Sequence, residues 1–465
     1  MLAPATAASR AAFPLRAFFL TALVAFTWHV RYLQPLHPID DAHITFRHAA
    51  NFLAGHGWVF NVGDTFLCTS TPLYMLLLTA IEGCLRTGNL PAVAINCNML
   101  FDGLLVALFY LGILDSRNAP LRSFLLSLPI ALYPRLLDYS GCGMESSLFS
   151  LLILSAGWFW SRERWLPAGA LFGAVILTRP DGIIPAVACL ALSWNRPSRA
   201  IRAASLTAAI ASSWYLFAWV RYGSPLPVTV ANKVNPGGFG NLPTLWLLFG
   251  EVSPASARMP AAMAMNGHGV EGLSGFLWVS GWSLVLYLRK QGSADVRKFA
   301  TYLLGATLLF FSAYLIGSPA LYGWYQVPMG VMLLTVIALG QQAALAKLEA
   351  RHPRLPAGFA PALLSVISIL GWGNRLNYFP RSQPRFSLIV DWNPRRETEY
   401  RRLGLYLAGL ADKGDAVFMQ EPWDSTRGSK PSTGPVSPRP NWGSPCAKAS
   451  HPGNASSSSA TPDGS

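Results

Sequence analysis

The feature that most restricts the fold is a series of apolar segments of membrane-crossing length, joined by loops that carry clusters of arginine. Full-length segments fall at 15–33, 91–114, 201–221, 272–288, 298–317, 325–346 and 357–374. Shorter ones fall at 120–136, 144–160, 166–178 and 182–194. A crossing helix needs about 20 residues, so the short pieces must be tilted, broken or supported by neighbours. The bilayer interior offers no water to backbone amides, which leaves helices as the structure for such segments. Only 12% of the 465 residues are charged, against about 25% in soluble domains. The chain is therefore read as an all-α polytopic membrane protein.

Positive charge supplies the orientation. Arg10 and Arg16 place the N-terminus inside, so the loop after the first segment faces outside. Arg162 and Arg164, then Arg196, Arg199 and Arg202, then Arg289 to Lys298, then Lys347, Arg351 and Arg354 fall inside on one alternating path. Outside loops follow at about 137–143, 179–181, 222–271 and 318–324. The segment 72–86 breaks the count, because a full crossing there would invert every later loop. It is short and contains Glu82, so it is read as dipping in and returning, or as interfacial. That gives about eleven spans plus one such segment, with the C-terminus outside. The net charge of +14 is read as a topology signal and not as a nucleic-acid surface.

The membrane module covers 1–374, with a first outside loop at 34–71 and a large one at 222–271. A truncated extracytoplasmic region follows at 375–424. From Ser425 to Ser465 there is no Leu, Ile, Phe, Met or Tyr. Such a stretch cannot bury a core and is expected to be disordered; the abrupt break after Pro422 is also what an out-of-frame extension would give. The six cysteines show no metal-ligand spacing, and no disulfide framework is expected.

Within the first outside loop stands Asp40-Asp41-Ala-His43-Ile-Thr-Phe-Arg47. Ionisable residues at a membrane boundary are functional candidates. If 41–53 is an interfacial helix, one acid would suffice to cap it, which leaves the second unexplained. His43 and Arg47 lie one turn apart, and Asp40 and Arg47 two turns apart. An Asp–Arg pair would keep a carboxylate ionised and able to take a proton from a hydroxyl; on this ground Asp40 is the first choice of base. A metal site from Asp41, His43 and His48 lacks a supporting spacing. Glu145 opens a helix at an outer boundary, where capping and function are both open. Arg179, in Thr178-Arg-Pro-Asp-Gly182, pairs internally or holds a lipid phosphate. Lys233 is a solvated lysine or a point charge for phosphate. The aromatics of Tyr322-Gly-Trp-Tyr325 read as an interfacial belt.

These motifs, with Asn51, Gly55-His-Gly57, Phe60-Asn61, Thr69-Ser-Thr-Pro72-Leu, Gly143-Met-Glu145 and Tyr222-Gly-Ser-Pro-Leu-Pro227, run in order from about residue 15 to 330. The set resembles the GT-C superfamily of multi-span glycosyltransferases that use polyprenyl-phosphate-linked sugars. It is similar to bacterial members of the terminal arabinofuranosyltransferase type, and more distantly to protein mannosyltransferases and lipid A aminoarabinose transferases. The resemblance implies transfer of a sugar from a polyprenyl phosphate to an extracytoplasmic glycan, lipid or protein, at a bacterial cytoplasmic membrane. Asp40 or Asp41 would be the acid-base residue, with Arg47, His43, Glu145, Arg179 and Lys233 around the substrates. No cofactor is required on this reading, and no spacing supports a divalent cation. Members often carry Tyr where His43 stands, and an acid where Phe66-Leu67-Cys68 precedes the Thr-rich motif. The same charges would also suit a lipid-linked sugar flippase, or a non-catalytic partner in envelope assembly.

Overall fold

The computed structural model describes residues 7–33, 38–228, 230, 292–317, 323–352 and 358–370. All lie in the first of two compact units, Met1–Trp392. Every regular element among them is helical. The helices are α1 (Ala7–Tyr32), α2 (Asp40–Leu53), α3 (Pro72–Leu85), α4 (Leu90–Leu108), α5 (Pro120–Ala131), α6 (Pro134–Gly141), α7 (Ser146–Ser161) and α8 (Trp165–Thr178). They continue with α9 (Ile183–Ala191), α10 (Pro197–Tyr222), α11 (Ala294–Gly317), α12 (Gly323–Arg351) and α13 (Phe359–Leu370). A π-helical turn, Phe109–Ile113, prolongs α4, and a 3₁₀ turn, Pro180–Gly182, links α8 to α9.

Proline fixes many of the starts. It occupies the first or second position of α3, α4, α5, α6 and α10, where its missing N–H is no loss. Asn89 caps α4 by accepting the Ala92 N–H at 3.2 Å. Among the described residues, four helices are long and apolar enough to cross a membrane, at Phe13–Tyr32, Leu90–Ile113, Pro197–Tyr222 and Trp324–Arg351. The other predicted segments appear as shorter or less apolar helices, except 272–288, which lies outside the described residues, as does the end of 357–374. Two boundaries differ from expectation. The segment 120–136 breaks at Leu132-Tyr133, because Pro134 cannot continue α5 and instead starts α6. The expected outside loop at 137–143 is mostly α6, and it is buried.

The bundle has two polar ends. At one, Glu163 meets Arg199 at 2.8 Å and Lys298 at 2.9 Å, joining the connection after α7 to the starts of α10 and α11. At that end too, Arg122 meets Glu349 at 2.6 Å and Arg16 donates to Ser116 at 2.9 Å. Following α7, α8, α11 and α12 along their lengths leads to the opposite end, which holds Asp41, Glu145, Arg179 and Trp324. This segregation agrees with the alternating path expected from charge. α3 does not traverse the bundle. Its Pro72 end follows the Thr69–Thr71 stretch beside Asp41, and its Glu82 end stands near His43 and Arg47. Both ends thus flank α2.

Small residues bring the helices close. A side chain at Gly169 would sit 2.5 Å from the Ala203 carbonyl, so α8 and α10 touch backbone to backbone. Thr207 spans the same contact, donating to the Gly169 carbonyl at 2.8 Å. In the interior, Arg31 of α1 forms an ion pair with Asp102 of α4, and both are buried. The guanidinium also donates to the carbonyls of Thr27 at 3.2 Å and Ala131 at 2.9 Å. Cys84, Cys97, Cys142 and Cys189 are free thiols.

Candidate active site

α2 begins at Asp40, one residue earlier than expected, and Ile39 is its N-cap, with no side-chain cap bond. Both acids therefore sit in the first turn, where the helix dipole favours negative charge. The Asp40 side chain lies outside the described residues. Asp41 borders a cavity of about 260 Å³ shared with Thr45, Thr69, Thr71, Glu145, Arg179, Asp181, Tyr314, Trp324 and Tyr325.

His43 and Arg47 fall on the other flank of α2. They line a separate pocket of about 540 Å³ with Phe46, Phe60, Glu82 and Leu90. Arg47 Nε donates to the Phe60 carbonyl at 3.0 Å. His43 and Arg47 thus line a different pocket from Asp41, and their expected shared face with Asp40 involves a side chain outside the described residues. Ile44 alone of the α2 residues lines both pockets. Lys233 lies outside the described residues.

The loop after α2 is held by the motif residues. Asn51 donates to the carbonyls of Val59 and Phe60, each at 2.9 Å, folding residues 54–60 back on the helix. Tyr222 Oη, at the end of α10, donates to the Trp58 carbonyl at 2.7 Å. Thr45 and Thr71 share a hydrogen bond of 2.9 Å, and Thr69 adds another of 3.2 Å to Thr71. The threonines preceding Pro72 are thereby fastened beside Asp41. His48 is fully buried; Nδ1 lies 2.8 Å from the Ile44 carbonyl and Nε2 has no partner. Burial lowers its pKa, against the opposing effects of that carbonyl bond and of Asp64. Among the described residues no three His, Cys, Asp or Glu side chains are arranged to hold a metal ion.

Arg179 is the centre of the cavity wall and is 3% exposed. Nε donates to Asp181 Oδ1 at 3.1 Å and Nη2 to Oδ2 at 2.6 Å. Nη1 reaches the Trp324 carbonyl at 3.4 Å, and Nη2 lies 3.4 Å from Tyr314 Oη. The guanidinium sits 4.8 Å from the centre of the Phe149 ring and 4.6 Å from that of Tyr325. Burial opposes its charge, but Asp181 foremost, with Glu145 further back, outweighs this and holds its pKa above the ordinary value. Tyr314 Oη also donates to Asp181 Oδ2. The internal ion pair read from the sequence is therefore present, and it forms part of the cavity wall.

Glu145 is the N-cap of α7, yet its side chain makes no cap bond. Its Oε1 stands 3.7 Å from Arg179 Nε, within ion-pair range but longer than a hydrogen bond. Capping does not account for it. Tyr314 and the Trp324 carbonyl had no signal strong enough in the sequence to single them out. Asp181 was visible only as part of the Arg179 motif.

No protein-family model matches the sequence, and no curated protein matches it. Among solved structures, ArnT from Cupriavidus metallidurans in the apo state is similar with a TM-score of 0.54 at 14% identity, covering 86% of this chain and 70% of that one. The same protein bound to undecaprenyl phosphate gives a TM-score of 0.51 at 12% identity, over 77% and 71%. At such identities the likeness is one of fold: this chain is an all-α polytopic membrane protein that shares the architecture of ArnT.

Proposed function

We propose that the chain is a membrane glycosyltransferase that moves a sugar from a polyprenyl-phosphate donor to an acceptor hydroxyl. The observation that carries this reading is the placement of Asp41 and Arg179 on one cavity at one end of the bundle. The fold likeness supports it, since one of the similar structures is ArnT bound to undecaprenyl phosphate. A polyprenyl donor keeps its tail in the bilayer and its phosphate at the surface, so the reacting carbon lies at interfacial depth. Asp41 takes the proton of the acceptor hydroxyl, and the freed oxygen attacks the sugar's anomeric carbon. The bond from that carbon to the phosphate oxygen breaks, and its electron pair leaves with the phosphate. Positive charge beside the leaving phosphate stabilises the transition state.

Charge balance refines the assignment. The described wall sets three carboxylates, Asp41, Glu145 and Asp181, against the single guanidinium of Arg179. Asp181 already occupies two of the five guanidinium N–H donors. A phosphate therefore needs a second cation, and Lys233 takes that role in this proposal. The acceptor is an extracytoplasmic glycan, glycolipid or protein. The arginine-rich far end then faces the cytoplasm of a bacterial cell, by the positive-inside rule. Asp41, which borders the cavity, is taken as the base in this proposal.

The test is sugar transfer by the purified protein from a panel of polyprenyl-phosphate sugars, alongside Asp41→Asn and Asp40→Asn. Asp41→Asn should abolish transfer and Asp40→Asn should retain most of it. Equal transfer by all three would remove the base from this cavity.

A further inference from the structure

Glu145 owes its place to a turn whose carbonyls are held from three helices. Asn98, wholly buried in α4, donates to the Ser140 carbonyl at 3.2 Å and to the Met144 carbonyl at 2.8 Å. Its own oxygen accepts the Tyr74 hydroxyl of α3 at 3.2 Å, and that hydroxyl also lies 3.2 Å from the Gly143 carbonyl. The Ile39 N–H, immediately before the Asp40-Asp41 pair, donates to the Cys142 carbonyl at 3.3 Å. Gly143 has φ +76°, and an added Cβ would meet Phe46 of α2 at 2.8 Å. The carbonyls of Ser140, Cys142 and Met144, at the end of α6 and in the turn to α7, thus each accept an N–H from outside the turn, and the Tyr74 hydroxyl is shared between the Asn98 oxygen and the Gly143 carbonyl.

The amide is needed for this. It offers two N–H donors and one oxygen, and the surroundings present two carbonyls and one hydroxyl. A carboxylate there could not donate, and an apolar side chain would leave both carbonyls unpaired in a buried place. We infer that Asn98, with Tyr74, is a positioning residue that fixes the carboxylate of Glu145 against Arg179, and so sets how the cavity receives a phosphate. This inference rests on the proposed donor chemistry. It goes beyond that chemistry by naming two residues that touch neither substrate.

The test is a double-mutant cycle read in binding of polyprenyl phosphate, which needs no turnover. Asn98→Leu and the milder Tyr74→Phe should each change the affinity, by about 3- to 10-fold for the former. Both effects should vanish in a Glu145→Gln background, since a residue acting through Glu145 has nothing left to place. Thermal melting of each variant confirms that the fold is retained. Additive effects in the Glu145→Gln background, or an unchanged affinity for both single variants, would overturn the inference. Transfer that survives Asp41→Asn would overturn the catalytic assignment and leave this cycle standing. Wild-type protein that binds no polyprenyl phosphate would overturn both.

Discussion

Arg179 holds Asp181 through two parallel hydrogen bonds, at 3.1 and 2.6 Å, while Glu145 stands off at 3.7 Å from the same guanidinium. The three residues come from two motifs, and the turn at Pro180 brings Arg179 and Asp181 together. Asp181 is hydrogen-bonded to Arg179 and Glu145 is within ion-pair range of it, so an incoming ligand oxygen is expected to compete with Glu145 for Arg179 first.

Arg179→Lys keeps the charge and loses the planar fork. A hydrogen bond to a charged group contributes about 1.5–3 kcal/mol, so transfer should fall by roughly 10- to 100-fold. Arg179→Ala leaves buried carboxylates unopposed and should lower stability by about 3–5 kcal/mol. Transfer assays with matched melting curves separate the two; a Lys variant as active as wild type would deny the fork a role.

Gly143→Ala tests the contact between α2 and the turn before Glu145. Its φ of +76° and the 2.8 Å approach to Phe46 penalise any side chain. The left-handed conformation alone costs about 1–2 kcal/mol. Adding Phe46→Leu should recover part of the lost melting temperature, because it removes the clash and leaves only the backbone strain. No recovery would mean that Phe46 yields freely.

The positions of the helices were legible in the apolar segments, because hydrocarbon length imposes them. The breaks at Leu132-Tyr133 and the burial of α6 were not, since a proline shows where a helix stops without showing where the chain turns next. The division of the first loop was legible in principle. His43 and Arg47 lie four apart on one flank, and Asp41 and Thr45 four apart on the other. Treating the whole motif as one cluster obscured that register. Asn98 and Asp102 gave a weaker signal, two polar residues one turn apart inside an apolar span. Tyr314 and the Trp324 carbonyl gave none, because a site shared by distant helices leaves no local pattern.

His48 gives the fold a pH dependence. Burial lowers its pKa below the ordinary 6.5, so between the folded value and 6.5 the unfolded chain binds the proton that the folded chain refuses. Stability from this group is full above about pH 6.5 and declines as pH falls through that window. The melting temperature should drop more steeply on acidification for wild type than for His48→Gln. Parallel curves would show that His48 protonates in place.

Asp102→Asn and Arg31→Leu should each destabilise by about 3–5 kcal/mol, since each leaves the other partner buried and unpaired. Replacing both by apolar residues should cost far less. The comparison is made by melting in detergent, and a double variant that loses the sum of the two single losses would show that the pair is not coupled.

The same pair bears on how the chain enters the membrane. Asp102 lies within a crossing helix, where a lone carboxylate opposes insertion by about 2.5–3.5 kcal/mol. Its partner is in the first crossing helix, 71 residues earlier, and so emerges from the ribosome before it. α1 must therefore still be waiting beside the insertion machinery when α4 arrives. The intervening α2 and α3 supply slack for that delay, and the cavity beside Asp41 is expected to close only after the two charges have met.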